Sequence, residues 1–184
     1  MSRGKAVMRN IIGVVLFLLL FILALWFIQK HNQTRAPQPS AAMVSLSQRT
    51  KESGCITQGP LPDKACTPGA VFPEASVKEI CVSGYTKRVR NVPIDLKREV
   101  YSEYGVKHRV KGEYEVDHLI PLELGGSNDI ANLWPEPAEP QPGFHEKDKV
   151  ENYLHEQVCS GRMELRTAQS VIENDWLSVY KRMN

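Results

Sequence analysis

The sequence predicts one α+β domain that is stapled by disulfide bonds and preceded by one N-terminal transmembrane helix. An apolar run occupies residues 11–28, four cysteines all follow that run, and the remaining chain mixes strand-like alternation with helical periodicity. At 184 residues the chain has room for one ordinary domain with appendages. A composition of 42% hydrophobic and 24% charged residues excludes a wholly disordered chain.

The apolar run at residues 11–28 contains no charge, amide or hydroxyl. As a helix it would rise about 27 Å, close to the roughly 30 Å hydrocarbon core of a bilayer. Arg3, Lys5 and Arg9 precede it, which favours a cytoplasmic segment at residues 1–10 and export of everything that follows. A cleaved signal peptide is the alternative, but it needs a shorter apolar core with small residues just beyond it. We therefore expect an uncleaved signal-anchor, single-pass in the inner (cytoplasmic) membrane, with a periplasmic or extracellular C-terminal domain.

All four cysteines lie beyond the apolar run, at positions Cys55, Cys66, Cys81 and Cys159. An even number of cysteines in an exported domain indicates two disulfide bonds, for which three pairings exist. Proximity in sequence suggests Cys66–Cys81, which leaves Cys55–Cys159. The alternative is four reduced cysteines in a cytosolic domain. No Cys-x-x-Cys occurs, which disfavours a structural zinc knuckle.

Residues 29–54 are polar and include Pro37 and Pro39, a composition typical of a flexible tether. Residues 55–184 are predicted to form the extracytoplasmic domain. Apolar residues at four-residue spacing predict its helices, and alternation with β-branched residues predicts its strand. The predicted elements are a capped turn at 76–80, helices at about 94–104, 145–159 and 167–183, a strand at 114–121 and a return segment at 131–135.

The candidate catalytic residues lie where strand, turn, short strand and helix follow one another, at about 114–159. Asp117 and His118 come near the end of the predicted strand. A carboxylate can hold a divalent cation, and an imidazole with a pKa near neutral pH can take the proton of an attacking water. Asn132 follows His118 by fourteen residues, and its amide can pin the loop between them. A helix beginning near His145 would bring further metal ligands.

This region resembles the HNH (ββα-metal) endonuclease family. The resemblance rests on the run 114–121, the Leu-Gly-Gly at 124–126 and the Asn-Leu at 132–133, followed by a helix. It covers about 114–151. A wider pattern, residues 66–70 with Cys81 and residues 133–137 followed by Lys147 and Asp148, resembles small exported bacterial HNH-like proteins. The resemblance implies a ββα-metal core with extra helices around it.

The resemblance also implies roles for individual residues in a metal-dependent hydrolysis of phosphodiester bonds. Asp117 is expected to be a metal ligand, His118 the general base and Asn132 the residue that stabilises the active-site loop. The chain departs from the family on the helix, where a histidine or asparagine is usually followed by lysine three residues later. His145 is the expected ligand there, and Asp148, one helical turn on, is the substitute. Mg²⁺ is the expected cation, with Mn²⁺, Zn²⁺ and Ni²⁺ as alternatives.

Positive charge is concentrated just before this region. Residues 87–111 hold eight bases and three acids, whereas residues 112–184 hold six bases and fourteen acids. A basic segment beside an acidic, metal-binding one suits a nucleic-acid substrate. The alternative is a solvated charged helix face. The candidate phosphate contacts are Lys87, Arg88, Arg90, Arg98 and Lys111.

No element that reads bases is visible in the sequence, so we expect little sequence preference, with DNA favoured over RNA by the resemblance. The bilayer contacts residues 11–28 in this prediction, and no protein partner is indicated. The alternative function is a catalytically inactive, membrane-anchored binding protein that keeps the same scaffold.

Overall fold

A computed structural model of the chain describes residues 21–23 and 48–183. The chain divides into two units, Met1–Met43 and Val44–Asn184. Residues 21–23, in the first unit, are helical. Within the described residues, no helix is both long enough and apolar enough to cross a membrane. Apart from 21–23, the predicted transmembrane segment lies outside the described residues.

The second unit is a mixed α+β structure. Its first described residues, 48–54, fall within the predicted tether, yet Arg49 pairs with Glu103 and Lys51 pairs with Asp63. The helices are α1 (Val77–Ile80), α2 (Tyr85–Val89), α3 (Ile94–Glu103), α4 (Phe144–Cys159) and α5 (Leu165–Met183). The strands are β1 (Tyr114–His118) and β2 (Leu133–Pro137), and short 3-10 turns occupy Leu122–Leu124 and Ile130–Asn132.

The two strands form an antiparallel hairpin in which Asp117 lies opposite Trp134 and His118 lies opposite Leu133. The predicted strand continued to residue 121, but β1 ends at His118. The Leu119 backbone N–H still donates to the Asn132 carbonyl (2.8 Å), and Asn132 already belongs to the second 3-10 turn. The chain then enters the 3-10 turns that separate the strands. Because β1 ends at His118, Asp117 and His118 lie beside the connecting loop.

The core lies where α4 and α5 pack together and against the loop that follows β1. Val150, Leu154 and Val158 recur at the four-residue spacing of one helix face, and all three are buried. Ile172 and Trp176 face them from α5. These apolar faces hold α4 beneath the hairpin, and that position turns Lys147 and Glu151, on the same helix, toward β1.

The last helix was predicted as continuous, but α5 is kinked at Asp175, whose φ and ψ of −159° and 58° are not helical. The Asp175 carboxylate accepts a hydrogen bond from the Ser178 backbone N–H (3.1 Å), as a residue that caps a new helix does. The kink therefore has a local cause, a side chain that competes with the helical backbone for a donor.

Two disulfide bonds join Cys55 to Cys66 and Cys81 to Cys159. The expected pairing, Cys66–Cys81 with Cys55–Cys159, is therefore wrong. Cys55 and Cys66 close a loop with a sequence separation of 11. Cys81 instead follows the buried Ile80, whose packing in the core brings it beside Cys159 at the end of α4. The Cys81–Cys159 bond therefore depends on core packing, which cannot be inferred from the separation of the cysteines in sequence.

Candidate active site

A cavity of about 110 Å³ opens beside the end of β1. Its polar side chains come from four parts of the chain: Thr86 and Arg90 at α2, Asp117 and His118 of β1, Glu123 of the first 3-10 turn, and Glu151 of α4. Acids, a histidine and an arginine therefore line one cavity.

Asn132 holds the loop that shapes this cavity. Its side chain is fully buried and donates to the carbonyls of Ile120 and Ser127 (both 2.9 Å). Its oxygen accepts from the backbone N–H groups of Ile120 (2.9 Å) and Ala70 (3.3 Å). Every hydrogen-bonding position of the amide is used, so Asn132 fixes the loop and does not face the cavity.

The Gly-Gly pair of the same loop is required by close backbone approach. A Cβ added at Gly126 would lie 1.7 Å from the Ile120 carbonyl oxygen, and Gly125 has a positive φ of 78°. Only glycine tolerates both conditions. Gly125, Gly126 and Asn132, which belong to the motif behind the resemblance, thus each have a structural role in the loop.

His118 is 2% exposed, and its environment selects one neutral form of the ring. Burial lowers the pKa of His118 below its ordinary value of 6.5; the Asp117 charge opposes the shift and the Arg90 charge adds to it. The imidazole is therefore uncharged at neutral pH, and one of its two nitrogens carries a free lone pair.

Asn128 determines which nitrogen that is. The His118 Nε2 lies 3.2 Å from the Asn128 Oδ1, which also accepts the Asn91 backbone N–H (3.1 Å). The Asn128 Nδ2 donates to the Val89 carbonyl (2.7 Å), so the orientation of the amide is fixed by its own partners. Since Oδ1 can only accept, His118 carries its proton on Nε2. The Nδ1 lone pair remains available to a water.

Lys147 lies on the other side of Asp117 and is fully buried. Its Nζ donates to the Asp117 Oδ2 (2.6 Å), to the His118 carbonyl (2.8 Å) and to the Glu151 carboxylate. A third carboxylate oxygen, the Glu136 Oε2, lies 3.7 Å from the Nζ. The three protons of the ammonium are all used, as a buried charge requires.

Burial and the Lys147 charge act in opposite directions on the acids of this lysine-centred cluster. Burial alone would raise the pKa of Asp117, but the Lys147 charge and a hydrogen bond with Glu136 outweigh it and hold the pKa at about 2. Burial raises the pKa of Glu136 well above its ordinary value and that of Glu151 to about 8. Burial thus disfavours ionisation of Glu136 and Glu151, whereas Asp117 stays ionised beside the ammonium.

The ligand atoms of the three predicted metal ligands do not all lie within 4.8 Å of one another in the described structure. His145 is exposed, with its ring centroid 4.3 Å from that of Phe144, and Asp148 is exposed on the same helix. Over residues 21–23 and 48–183, one set of three ligand types has its atoms within 4.8 Å, namely Cys81, His155 and Cys159. Its two sulfurs belong to one disulfide bond. Asp117, His145 and Asp148 form no such set.

The cavity itself offers a different set of donors for a divalent cation. Asp117, Glu123 and Glu151 present carboxylates to it. The Glu123 Oε1 is buried and has no hydrogen-bond partner in the described structure. A buried carboxylate oxygen without a partner is expected to cost free energy unless a cation or water satisfies it. An oxygen-rich donor set with one such oxygen fits Mg²⁺ better than it fits a transition metal.

Of the five predicted phosphate contacts, Arg90 lines the cavity. Arg98 pairs with Asp95 (2.9 Å), and the guanidinium of Arg88 lies 5.8 Å from the ring centroid of Tyr85. Lys111 lines a separate, wider cavity of about 680 Å³ together with its loop neighbours at 107–115. Lys87 is exposed on α2. The structure therefore brings Arg90 to the site and places the other four elsewhere on the surface.

Sequence reasoning missed five residues of the site, namely Asn128, Glu123, Glu136, Lys147 and Glu151. Two signals for them existed. Lys147 and Glu151 have the i, i+4 spacing of one helix face. Glu136 lies two residues beyond Trp134, the partner of Asp117, and so shares a face of the hairpin with Asp117. Nothing comparable points to Asn128 or Glu123, whose positions depend on loop geometry.

No protein-family model, curated protein or solved structure shows a significant match to the chain. The function is therefore argued from the chemistry of the cavity.

Proposed function

We propose that this protein is a metal-dependent endonuclease that hydrolyses phosphodiester bonds with His118 as the general base. The observation that carries the proposal is the state of His118, which is buried, uncharged at neutral pH and held in one tautomer at the wall of a cavity. A side chain held in this way can accept a proton from a water without first losing one of its own.

Residues in and around the cavity would bind the phosphate and hold His118 and its loop in place. Arg90 lies where its guanidinium can neutralise the non-bridging oxygens of a bound phosphate. Lys147 holds both the Asp117 carboxylate and the His118 carbonyl, and so keeps the end of β1 in place. Asn132 holds the loop and Asn128 orients the base.

The residues that would hold a divalent cation are Asp117, Glu123 and Glu151. Mg²⁺ bound there would neutralise the charge that develops on the phosphate and on the leaving oxygen. Mn²⁺ is the closest substitute for an oxygen-rich site, whereas Zn²⁺ and Ni²⁺ favour the histidine ligands that the cavity lacks apart from His118. The ligation of the same ion by His145 and Asp148 stays a prediction.

DNA is the proposed substrate and RNA the alternative. The cavity presents charged groups suited to phosphate, and its lining contains no aromatic side chain on which a base could stack. We therefore propose cleavage with little sequence preference. Contacts to phosphates give affinity that falls with salt and carry no direct sequence information.

We further propose that the domain acts outside the cytoplasm, tethered by a signal-anchor at 11–28. Two disulfide bonds support this location, because such bonds persist in oxidising compartments and are rare in the cytosol.

The first prediction tests the base. The full chain in detergent is incubated with plasmid DNA, single-stranded DNA and RNA, with Mg²⁺ or with a chelator. Cleavage is expected only with the metal, and His118→Ala should lower its rate by about a hundredfold or more, the usual contribution of a general base. His108→Ala is the matched control, since His108 is an exposed loop histidine, and it should cleave like the wild type. Equal cleavage by His118→Ala would contradict the proposal.

A second candidate function, a catalytically inactive binding protein, is favoured by one observation. The Lys147 ammonium already pairs with the Asp117 and Glu151 carboxylates, so both have a positively charged partner without an added cation. If wild type and His118→Ala are equally inert with every metal, yet both bind DNA and Arg90→Ala does not, this second function replaces the first.

A further inference from the structure

The C-terminal end of α4 carries a group of ligand atoms unrelated to the cavity lining. Cys159 ends the helix, and His155 lies one turn earlier on the same face, with its Nε2 3.3 Å from the Cys159 Sγ. Cys81 reaches the same point from the end of α1 through the disulfide bond. The Cys81, His155 and Cys159 ligand atoms all lie within 4.8 Å of one another.

This group cannot bind a metal while the disulfide is intact, because a metal takes cysteine as thiolate. A dithiol reductant supplies two electrons, breaks the Cys81–Cys159 bond and leaves two thiols, while the reductant itself becomes a disulfide. A divalent ion then displaces one proton from each thiol and binds both sulfurs. Two protons are released for each metal ion bound.

The geometry suits a tetrahedral ion after that reduction. Around zinc, bond lengths near 2.3 Å to sulfur and 2.0 Å to nitrogen place a sulfur and a nitrogen ligand about 3.5 Å apart, and two sulfurs about 3.8 Å apart. The His155 Nε2 and Cys159 Sγ are already 3.3 Å apart. The same Nε2 lies 3.2 Å from the Ile80 carbonyl, so metal binding replaces that hydrogen bond and leaves the ring proton on Nδ1. The two cysteine Cα atoms are 5.6 Å apart, so rotation of their side chains is enough to open the sulfur pair.

We propose that reduction converts Cys81, Cys159 and His155 into a Cys₂His site for Zn²⁺, with solvent as the fourth ligand. The contact between His155 and Cys159 is exposed, so a reductant and a metal can both reach it. The same three residues then cross-link α1 to α4 in either state, by a covalent bond under oxidising conditions and by a metal ion under reducing ones. This inference is independent of the proposed nuclease activity.

The test uses Co²⁺ as the probe, because thiolate-bound cobalt has a charge-transfer band in the near ultraviolet. The full chain carrying Cys55→Ser and Cys66→Ser is used, so that the other disulfide contributes no thiols. The chain is reduced with a thiol-free phosphine and titrated with Co²⁺. The expected result is a band that saturates at one ion per chain, is absent from the oxidised protein and disappears when Zn²⁺ is added.

Two variants make the assignment specific. His155→Ala should weaken cobalt binding by about tenfold or more, since it removes one of three protein ligands. His108→Ala, at an exposed loop histidine away from this helix, should leave binding unchanged. No band in the reduced protein, an equal band in the oxidised protein, or full binding by His155→Ala would each overturn the proposal.

Circular dichroism keeps the test decisive if reduction unfolds the chain. Metal binding is coupled to folding, so Zn²⁺ should then restore the helical signal of the reduced protein and raise its Tm. Zn²⁺ should leave the Tm of the oxidised protein unchanged. A reduced chain that stays unfolded with Zn²⁺ would overturn the proposal as well.

Discussion

Asn128 is a positioning residue whose effect on His118 can be tested apart from activity. Its Oδ1 accepts the Nε2 proton of His118, and its Nδ2 is held by the Val89 carbonyl. Asn128→Ala removes the acceptor, so the neutral ring is expected to populate both tautomers. The wild type should show one tautomer, with the proton on Nε2.

Nitrogen NMR of labelled histidine distinguishes a protonated from an unprotonated ring nitrogen and so measures this tautomer. The signal of His118 is assigned by its loss in His118→Ala. If cleavage occurs, Asn128→Ala should also lower its rate by about tenfold or more, because the productive tautomer is diluted and the ring is less fixed. Asn152→Ala is the control, as Asn152 is exposed on α4 and bonded only to its own helix. A ring that keeps the Nε2 proton in Asn128→Ala would contradict this role.

Lys147 shows what the sequence could not give at the scale of residues. A lysine among the charged residues 146–149 indicates a solvated helix start, and the resemblance gave it no role because its register was wrong. The structure buries it completely and pairs it with Asp117, thirty residues earlier. The pairing follows from how α4 packs under the hairpin, and a single sequence contains no observation of that packing. Asn132 was predictable because its partners lie in its own loop.

At the scale of elements, local signals predicted the parts of the fold that local interactions determine. Ser76 and Glu79 suggested a capped turn, and at the start of α1 the Glu79 carboxylate accepts from the Ser76 backbone N–H (3.2 Å) and hydroxyl (2.7 Å). The four-residue apolar spacing of 150–158 predicted the buried face of α4. α2 was not predicted, because its five residues are too few to show a period. Boundaries that depend on distant partners, such as the end of β1 at His118, were missed because a single sequence does not show which residues will pair.

The two disulfide bonds are expected to differ in their effect on stability. In the chain-entropy model, closing the loop between Cys81 and Cys159, with a sequence separation of 78, stabilises the fold by about 4.5 kcal/mol. The separation of 11 between Cys55 and Cys66 corresponds to about 2.8 kcal/mol. Replacing both cysteines of each pair by serine should therefore destabilise the chain more for Cys81 and Cys159.

Urea denaturation of the two double variants measures this difference as a change in the free energy of unfolding. The wild type under oxidising conditions is the reference, and each double variant serves as the control for the other. A larger loss for the Cys55 and Cys66 variant would indicate that the N-terminal loop contributes more than its length implies.

At the scale of the whole molecule, the site joins two consecutive segments of the chain, 87–111 and 112–184, that differ in charge. Arg90 comes from the basic segment 87–111, whereas Asp117, Glu123 and Glu151 come from the acidic remainder. The fold gathers the acids around one buried ammonium, so that burial and charge pairing act on each carboxyl in opposite directions. The stability of the molecule should therefore depend on pH through this cluster.

The raised pKa of Glu151 determines the direction in which pH changes the stability. Burial raises its pKa from an ordinary 4.5 to about 8 in the folded protein, although the Lys147 charge opposes the shift. Between these two values the folded state binds a proton that the unfolded state has released. The stabilisation from this group is therefore fully present below pH 4.5 and is lost as the pH rises through about 8.

Glu151→Gln isolates this contribution, because glutamine keeps an oxygen for Lys147 and cannot titrate. The difference in the free energy of unfolding between wild type and variant, measured by urea denaturation at several pH values from 5 to 9, cancels the other titrating groups. Between pH 5 and pH 9 the wild type should lose about 1 kcal/mol or more of unfolding free energy relative to the variant, since each unit of pKa shift is worth about 1.4 kcal/mol. His118, whose pKa is lowered by burial, acts with the opposite sign and is common to both proteins. A difference that stays constant with pH would mean that Glu151 is ionised throughout, and the cluster would then carry a net negative charge that favours a bound cation.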